Sequence, residues 1–152
     1  MLQLDALDVF AAEFTGERPN LENYFMVASE DKLAKLYGDT VNRGDLCTLV
    51  VVIPSHDANI LDEDNRRFRD NLFFVFLKKT DQTAGNKEEL RVFELCQQEA
   101  LAMVRKIIDL HQNFGEDCIF RDIDLNSVRV DPLQDYLSAN GYQLEFTIKT
   151  RF

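Results

Sequence analysis

Glycine, cysteine, histidine and basic residues are all scarce in this chain, and each shortage excludes something. Six glycines in 152 residues are few for a loop that must cradle a phosphate in backbone N–H groups. None of the spacings G-x-x-x-x-G-K-[ST], G-x-G-x-x-G, G-x-S-x-G or H-E-x-x-H occurs, so the common nucleotide, esterase and zinc-protease signatures are missing. Three cysteines cannot all pair within one chain and none stands in a C-x-x-C, which predicts reduced thiols and a cytoplasmic setting. With only two histidines, a zinc site would need ligands gathered from distant segments. The 17 Lys and Arg are outnumbered by 27 Asp and Glu, a net charge of −10. That balance argues against nucleic acid, whose phosphates call for surplus cations, and against an anionic membrane surface. No apolar run approaches the roughly 18 residues of a membrane span. The N-terminus carries Asp5 and Asp8 where a signal peptide would carry Lys or Arg.

What the chain does have is apolar mass: 45% hydrophobic residues, 12 of them Phe, too dense for a disordered segment. At 152 residues it is expected to fold as one domain over 1–152, burying roughly 70% of its unfolded surface.

Periodicity supplies the elements. Leu4, Leu7, Phe10, Ala11 and Phe14 recur at steps of three and four, one face of a helix over 2–15 with Gly16 as its C-cap. Residues 21–28 read as a strand, and Ser29 is placed to cap a short helix holding Leu33, Leu36 and Tyr37 and closed by Gly38. Residues 46–53, LCTLVVVI, are continuously apolar and β-branched, the pattern of a central strand buried on both faces and ended by Pro54. Residues 71–78, NLFFVFLK, form a similar strand. A long helix follows over 87–112, with Asn86 as N-cap, Glu89 in the capping-box position, and Gly115 near the C-cap. Its expected stripe is Leu90, Phe93, Cys96, Ala100, Val104, Ile107 and His111, broadened by Leu101, Met103 and Ile108. Two short strands are expected over 119–125 and 127–130, then an Asn140-Gly141 turn. After it Tyr142, Leu144, Phe146 and Ile148 alternate with Gln143, Glu145, Thr147 and Lys149, a strand with one buried and one wet face. The order predicts an α+β fold: a largely antiparallel sheet with a long hairpin, one long helix and the N-terminal helix packed on one face.

Candidate chemistry is sparse. Between the two apolar strands lie 16 mostly charged residues, 55–70. They read as the tip of an extended hairpin that contacts another protein through Asp57, Ile60, Leu61, Asp62, Glu63, Asp64, Arg66, Arg67, Phe68 and Arg69. Connections of this length are usually functional, and Ile60, Leu61 and Phe68 stand where no core calls for them. The carboxylates offer hard oxygen ligands, but not at EF-hand spacing, and the adjacent arginines provide local counter-charges. Asp122 and Asp124 would share a strand face, where paired carboxylates could do acid–base work; a solvated face explains them as well. Cys47 and Cys96 read as small core hydrophobes and Cys118 as more exposed. No catalytic residue, metal or cofactor is expected.

The last third, IIDLHQNFGEDCIF, then DIDLNSVRVDPL, then NGYQLEFTIKTRF, resembles small proteins from prophages of Bacteroidetes-type bacteria. These are similar in layout to the tail-completion or tail-terminator proteins of long-tailed phages. The resemblance runs over residues 44–152. It implies an α+β subunit with a long hairpin, assembling with itself as a ring and with other tail proteins as a virion component, and no catalytic residues. The sequence also admits an intracellular acidic adaptor or inhibitor that binds a basic protein, and a small metal-dependent hydrolase using Asp122, Asp124 or the acidic loop.

Overall fold

The structure, a computed structural model, describes residues 1–28, 31–32, 35, 46–59, 67–80, 83, 85–113, 115, 118–136 and 138–151. Its elements are α1 (Leu4–Glu17), β1 (Leu21–Val27), β2 (Cys47–Asn59), β3 (Arg67–Lys79), α2 (Asn86–Gln112), β4 (Ile123–Tyr136) and β5 (Ala139–Arg151). The strands form one sheet in the order β1-β2-β3-β5-β4. β1 runs parallel to β2, and every other pairing is antiparallel. The fold is α+β, with both helices packed against the sheet.

Side-chain alternation on the strands sorts the core. Leu49 and Val51 of β2, Leu72, Phe74 and Phe76 of β3, and Leu144, Phe146 and Ile148 of β5 are buried with α1 and α2. The intervening Val50, Val75 and Leu77 are buried on the opposite face with Val27 and Ala139. The continuously apolar runs are therefore buried on both sides, as their composition requires. Aromatic contacts join the layers: Phe10 of α1 meets Phe120 edge-on at 4.7 Å, and Phe74 stacks on Phe146 at 5.8 Å.

Several boundaries differ from the sequence expectation. β2 does not stop at Pro54 but runs to Asn59. The pairing with β3 is irregular between Val52 and Ser55, so the missing N–H of Pro54 falls where the ladder is already broken. The two short C-terminal strands are one strand, β4, whose register shifts between Asp124 and Arg129. At that shift Ser127 Oγ donates to the Asp124 carbonyl at 2.6 Å and accepts from Thr147 N–H at 2.8 Å. Asn140-Gly141 is not a turn. Both residues pair with β3, opposite Lys78 and Leu77, and the chain reverses just before them, where Asp135 and Ser138 take positive φ (53° and 61°). Gly141 is there for close approach: a Cβ would fall 1.8 Å from the Phe76 carbonyl oxygen.

The helix caps also differ. Gly16 lies inside α1, which ends at Arg18 in an extended conformation. α2 is capped by Gly85 and Asn113 rather than Asn86 and Gly115, with no side-chain bond at its N-cap. Its buried stripe is Val92, Cys96, Glu99, Ala100, Met103 and Ile107. Phe93 and Val104 are only half-buried, while Leu90 and Leu101, like Leu4 on α1, are exposed. The expected helix from Ser29 to Gly38 lies largely outside the described residues.

Candidate interaction surface

The charged excursion is shorter than its sequence suggests. Ser55 to Asn59 pair with Asn71 to Arg67, and Arg67 to Arg69 pair in turn with Arg151 to Lys149. The hairpin therefore grows out of a three-stranded root. Asp57, Arg67, Phe68 and Arg69 belong to its arms. Ile60, Leu61, Asp62, Glu63, Asp64 and Arg66 lie outside the described residues.

Asp70 fastens that root, and the sequence reading missed it. Its side chain is fully buried. One oxygen accepts the Leu2 N–H and the Thr150 hydroxyl, each at 2.9 Å. The other accepts from Nδ1 of His56 at 2.5 Å, the tautomer that a carboxylate acceptor demands. A buried carboxylate needs such donors to offset lost hydration, and these come from the N-terminus, β2 and β5. The ring of His56 also meets Phe68 edge-on at 6.4 Å. His56 is thus part of a fixed root rather than a loop.

A second buried carboxylate, Glu99 on α2, accepts Nε and Nη2 of Arg18 at 2.8 and 3.0 Å and Nδ2 of Asn20 at 3.1 Å. The bidentate bond raises the Arg18 pKa further above its already high ordinary value, and the pair's Coulomb attraction adds to it against the cost of burial. This pair ties the long helix to the turn between α1 and β1. On the outer face of α1, the Tyr24 hydroxyl donates to Asp8 at 2.9 Å, and this bond raises the Tyr24 pKa.

Beside the hairpin root two adjoining grooves open. The first, about 480 Å³, runs between α1 and the end of α2 and is lined by Asp5, Val9, Phe10, Glu13, Leu110 and Phe120 among others. The second, about 440 Å³, is lined by Met1, Gln3, Arg121, Asp122, Ile148 and Thr150 among others. Both share Ala6, Cys118 and Ile119. Val9 is 56% exposed and Met1 53%.

Asp122 precedes β4, which begins at Ile123, so it does not share a strand face with Asp124. Asp124 accepts the Asn126 N–H at 3.1 Å and lies 4.0 Å from Lys149 Nζ, while Asp122 accepts the Lys149 N–H through its carbonyl. Among the described residues no three His, Cys, Asp or Glu side chains are grouped to hold a metal ion. His111 Nδ1 lies 3.1 Å from the Phe120 carbonyl oxygen, a structural contact at the end of the helix. Cys47 and Cys96, expected as separate core residues, are in contact, Sγ to Sγ at 3.3 Å. Hydrogen bonding to Cys47, then burial, raises the Cys96 thiol pKa far above the ordinary range, the opposite of an activated thiolate. No helix among the described residues is long and apolar enough to cross a membrane. No protein-family model and no curated protein sequence matches the chain.

Proposed function

We propose that this chain is a non-enzymatic structural subunit of prophage tail-completion or head–tail joining type, working through contacts with copies of itself and with other tail proteins. The observation that supports the reading is the hairpin. Its arms, residues 55–59 and 67–69, extend the sheet on a root fixed by the buried Asp70 cluster. A contact element held this way loses little further conformational freedom when it docks.

The test is to replace 60–66 with Asn-Gly. Asn59 and Arg67 stand opposite one another in register, so a two-residue turn can join them, and a shorter loop closes at lower entropic cost. The shortened chain should fold with an unchanged sheet and fail to assemble. If it assembles like the parent, the hairpin tip is not the contact element.

A further inference from the structure

We propose that Cys47 and Cys96 form a reversible redox site, a buried dithiol that a hydroperoxide closes into a disulfide between β2 and α2. This stands apart from the assembly reading above. The two residues are 49 positions apart in sequence, yet their sulfurs lie 3.3 Å from one another and neither residue is exposed to solvent. A disulfide sets its sulfurs about 2.05 Å apart, so each need move only about 0.6 Å. The one other bond of the Cys96 thiol runs to the Asn140 carbonyl at 3.9 Å, too long for its loss to weigh against the bridge.

The neighbouring contacts fix both carriers. Cys47 opens β2 opposite Leu21 in the parallel ladder, and its N–H donates to the Asn20 carbonyl at 2.8 Å. The Asn20 side chain donates in turn to Glu99 at 3.1 Å, one turn along α2 from Cys96. Glu99 also holds Arg18 through two bonds. Asn20 thus ties the start of β2 and the adjoining turn of α2 into one unit. Groups held together in this way before any bond forms gain the advantage of an intramolecular step.

The chemistry balances with a hydroperoxide as oxidant. One cysteine loses its proton, its sulfur attacks a peroxide oxygen and the O–O bond breaks; a sulfenic acid forms, and the departing hydroxide takes up the proton as water. The second sulfur then attacks the sulfenic sulfur. The S–S bond forms, and the hydroxyl leaves with the second thiol's proton as another water. Two thiols and one peroxide become one disulfide and two waters. Buried sulfurs react only as the joint opens locally, so the step is slow and favours a small oxidant over a bulky reagent. In a reducing compartment the dithiol persists, and in an oxidising one the bridge forms. Once closed it removes freedom from the unfolded chain and makes α2 inseparable from β2.

The test uses the full chain carrying Cys118→Ser, which removes the third, half-buried thiol. The folded protein is treated with hydrogen peroxide, quenched in acid and weighed intact. It should lose the mass of two hydrogens, and peptide mapping should join the segments that carry Cys47 and Cys96. The parent should give the same joined peptides, so the outcome does not hinge on the Cys118 variant. Adding Cys47→Ala or Cys96→Ala should abolish the mass loss. The oxidised chain should melt about 10 °C above the reduced one, and prolonged treatment with a dithiol reductant should restore the starting mass and melting temperature. An unchanged mass, oxygen adducts in place of the bridge, a bridge that forms only in urea, or an oxidised chain that melts below the reduced one would each overturn the proposal.

Discussion

Removing the guanidinium of Arg18 should be costly for a side chain that is partly open to solvent. Glu99 is completely shielded from water, whereas 33% of the Arg18 side chain is exposed. In Arg18→Met the carboxylate keeps only the Asn20 amide, bonded at 3.1 Å. Stranding one partner of a buried ion pair typically costs about 3–5 kcal/mol, and the expected loss here is about 3 kcal/mol because water can enter where the guanidinium stood. Replacing both partners behaves differently. Arg18→Met/Glu99→Met removes the charge along with its counter-charge, and apolar replacement of a buried pair is often neutral or stabilising. The double variant should therefore recover most of the loss, with a coupling energy of about 2 kcal/mol. Urea unfolding of the parent, both singles and the double, read at constant m-value, completes the cycle. A loss below about 1 kcal/mol for Arg18→Met, or a double variant as unstable as the sum of the singles, would refute the reasoning.

Gly141→Ala should destabilise by about 3 kcal/mol or more in the same assay, because its Cβ meets the Phe76 backbone and not a movable side chain; near-parental stability would show that β3 and β5 can part there without loss. In the native protein a thiol reagent should modify half-buried Cys118 first and reach buried Cys47 and Cys96 only on unfolding. The raised Cys96 pKa also sets a pH trend. The unfolded thiol ionises near pH 8.5 while the folded one stays protonated, so this contribution is complete below that pH and is lost as pH rises above it. Cys96→Ala should flatten that alkaline slope relative to the parent, and an unchanged slope would assign it to other groups.

Much of the architecture was legible because its signals are local and repeated. The alternation from Tyr142 to Ile148 and the all-apolar runs in β2 and β3 each specify faces several times over, and the structure has those faces. The errors fell where one distant partner outweighs a local preference. The expected stripe of α2 shares Cys96, Ala100 and Ile107 with the buried face but omits Val92 and Glu99, because a glutamate reads as a surface residue. The residue that makes a glutamate tolerable there, Arg18, is 81 positions away in sequence. Asn140-Gly141 has turn chemistry, yet the glycine is required by the Phe76 backbone beside it. The Asn140 side chain is bonded to the Asp135 N–H at 2.8 Å and to Thr80 at 3.1 Å. Asp70 looked like one more charge at the end of a charged loop; only the convergence of Leu2, His56 and Thr150 marks it as the anchor of the root. The paired ladder runs further into the long hairpin than the expected strand bounds suggest, for a related reason: charged residues pair in a ladder as well as apolar ones when a neighbouring strand, here β5, supports them.

The measurement that bears most directly on the assembly reading is the molar mass of the purified chain in solution, followed by light scattering across a wide concentration range at low and high salt. The reading predicts a discrete multiple of 17.6 kDa. A mass of one chain under every condition would contradict it.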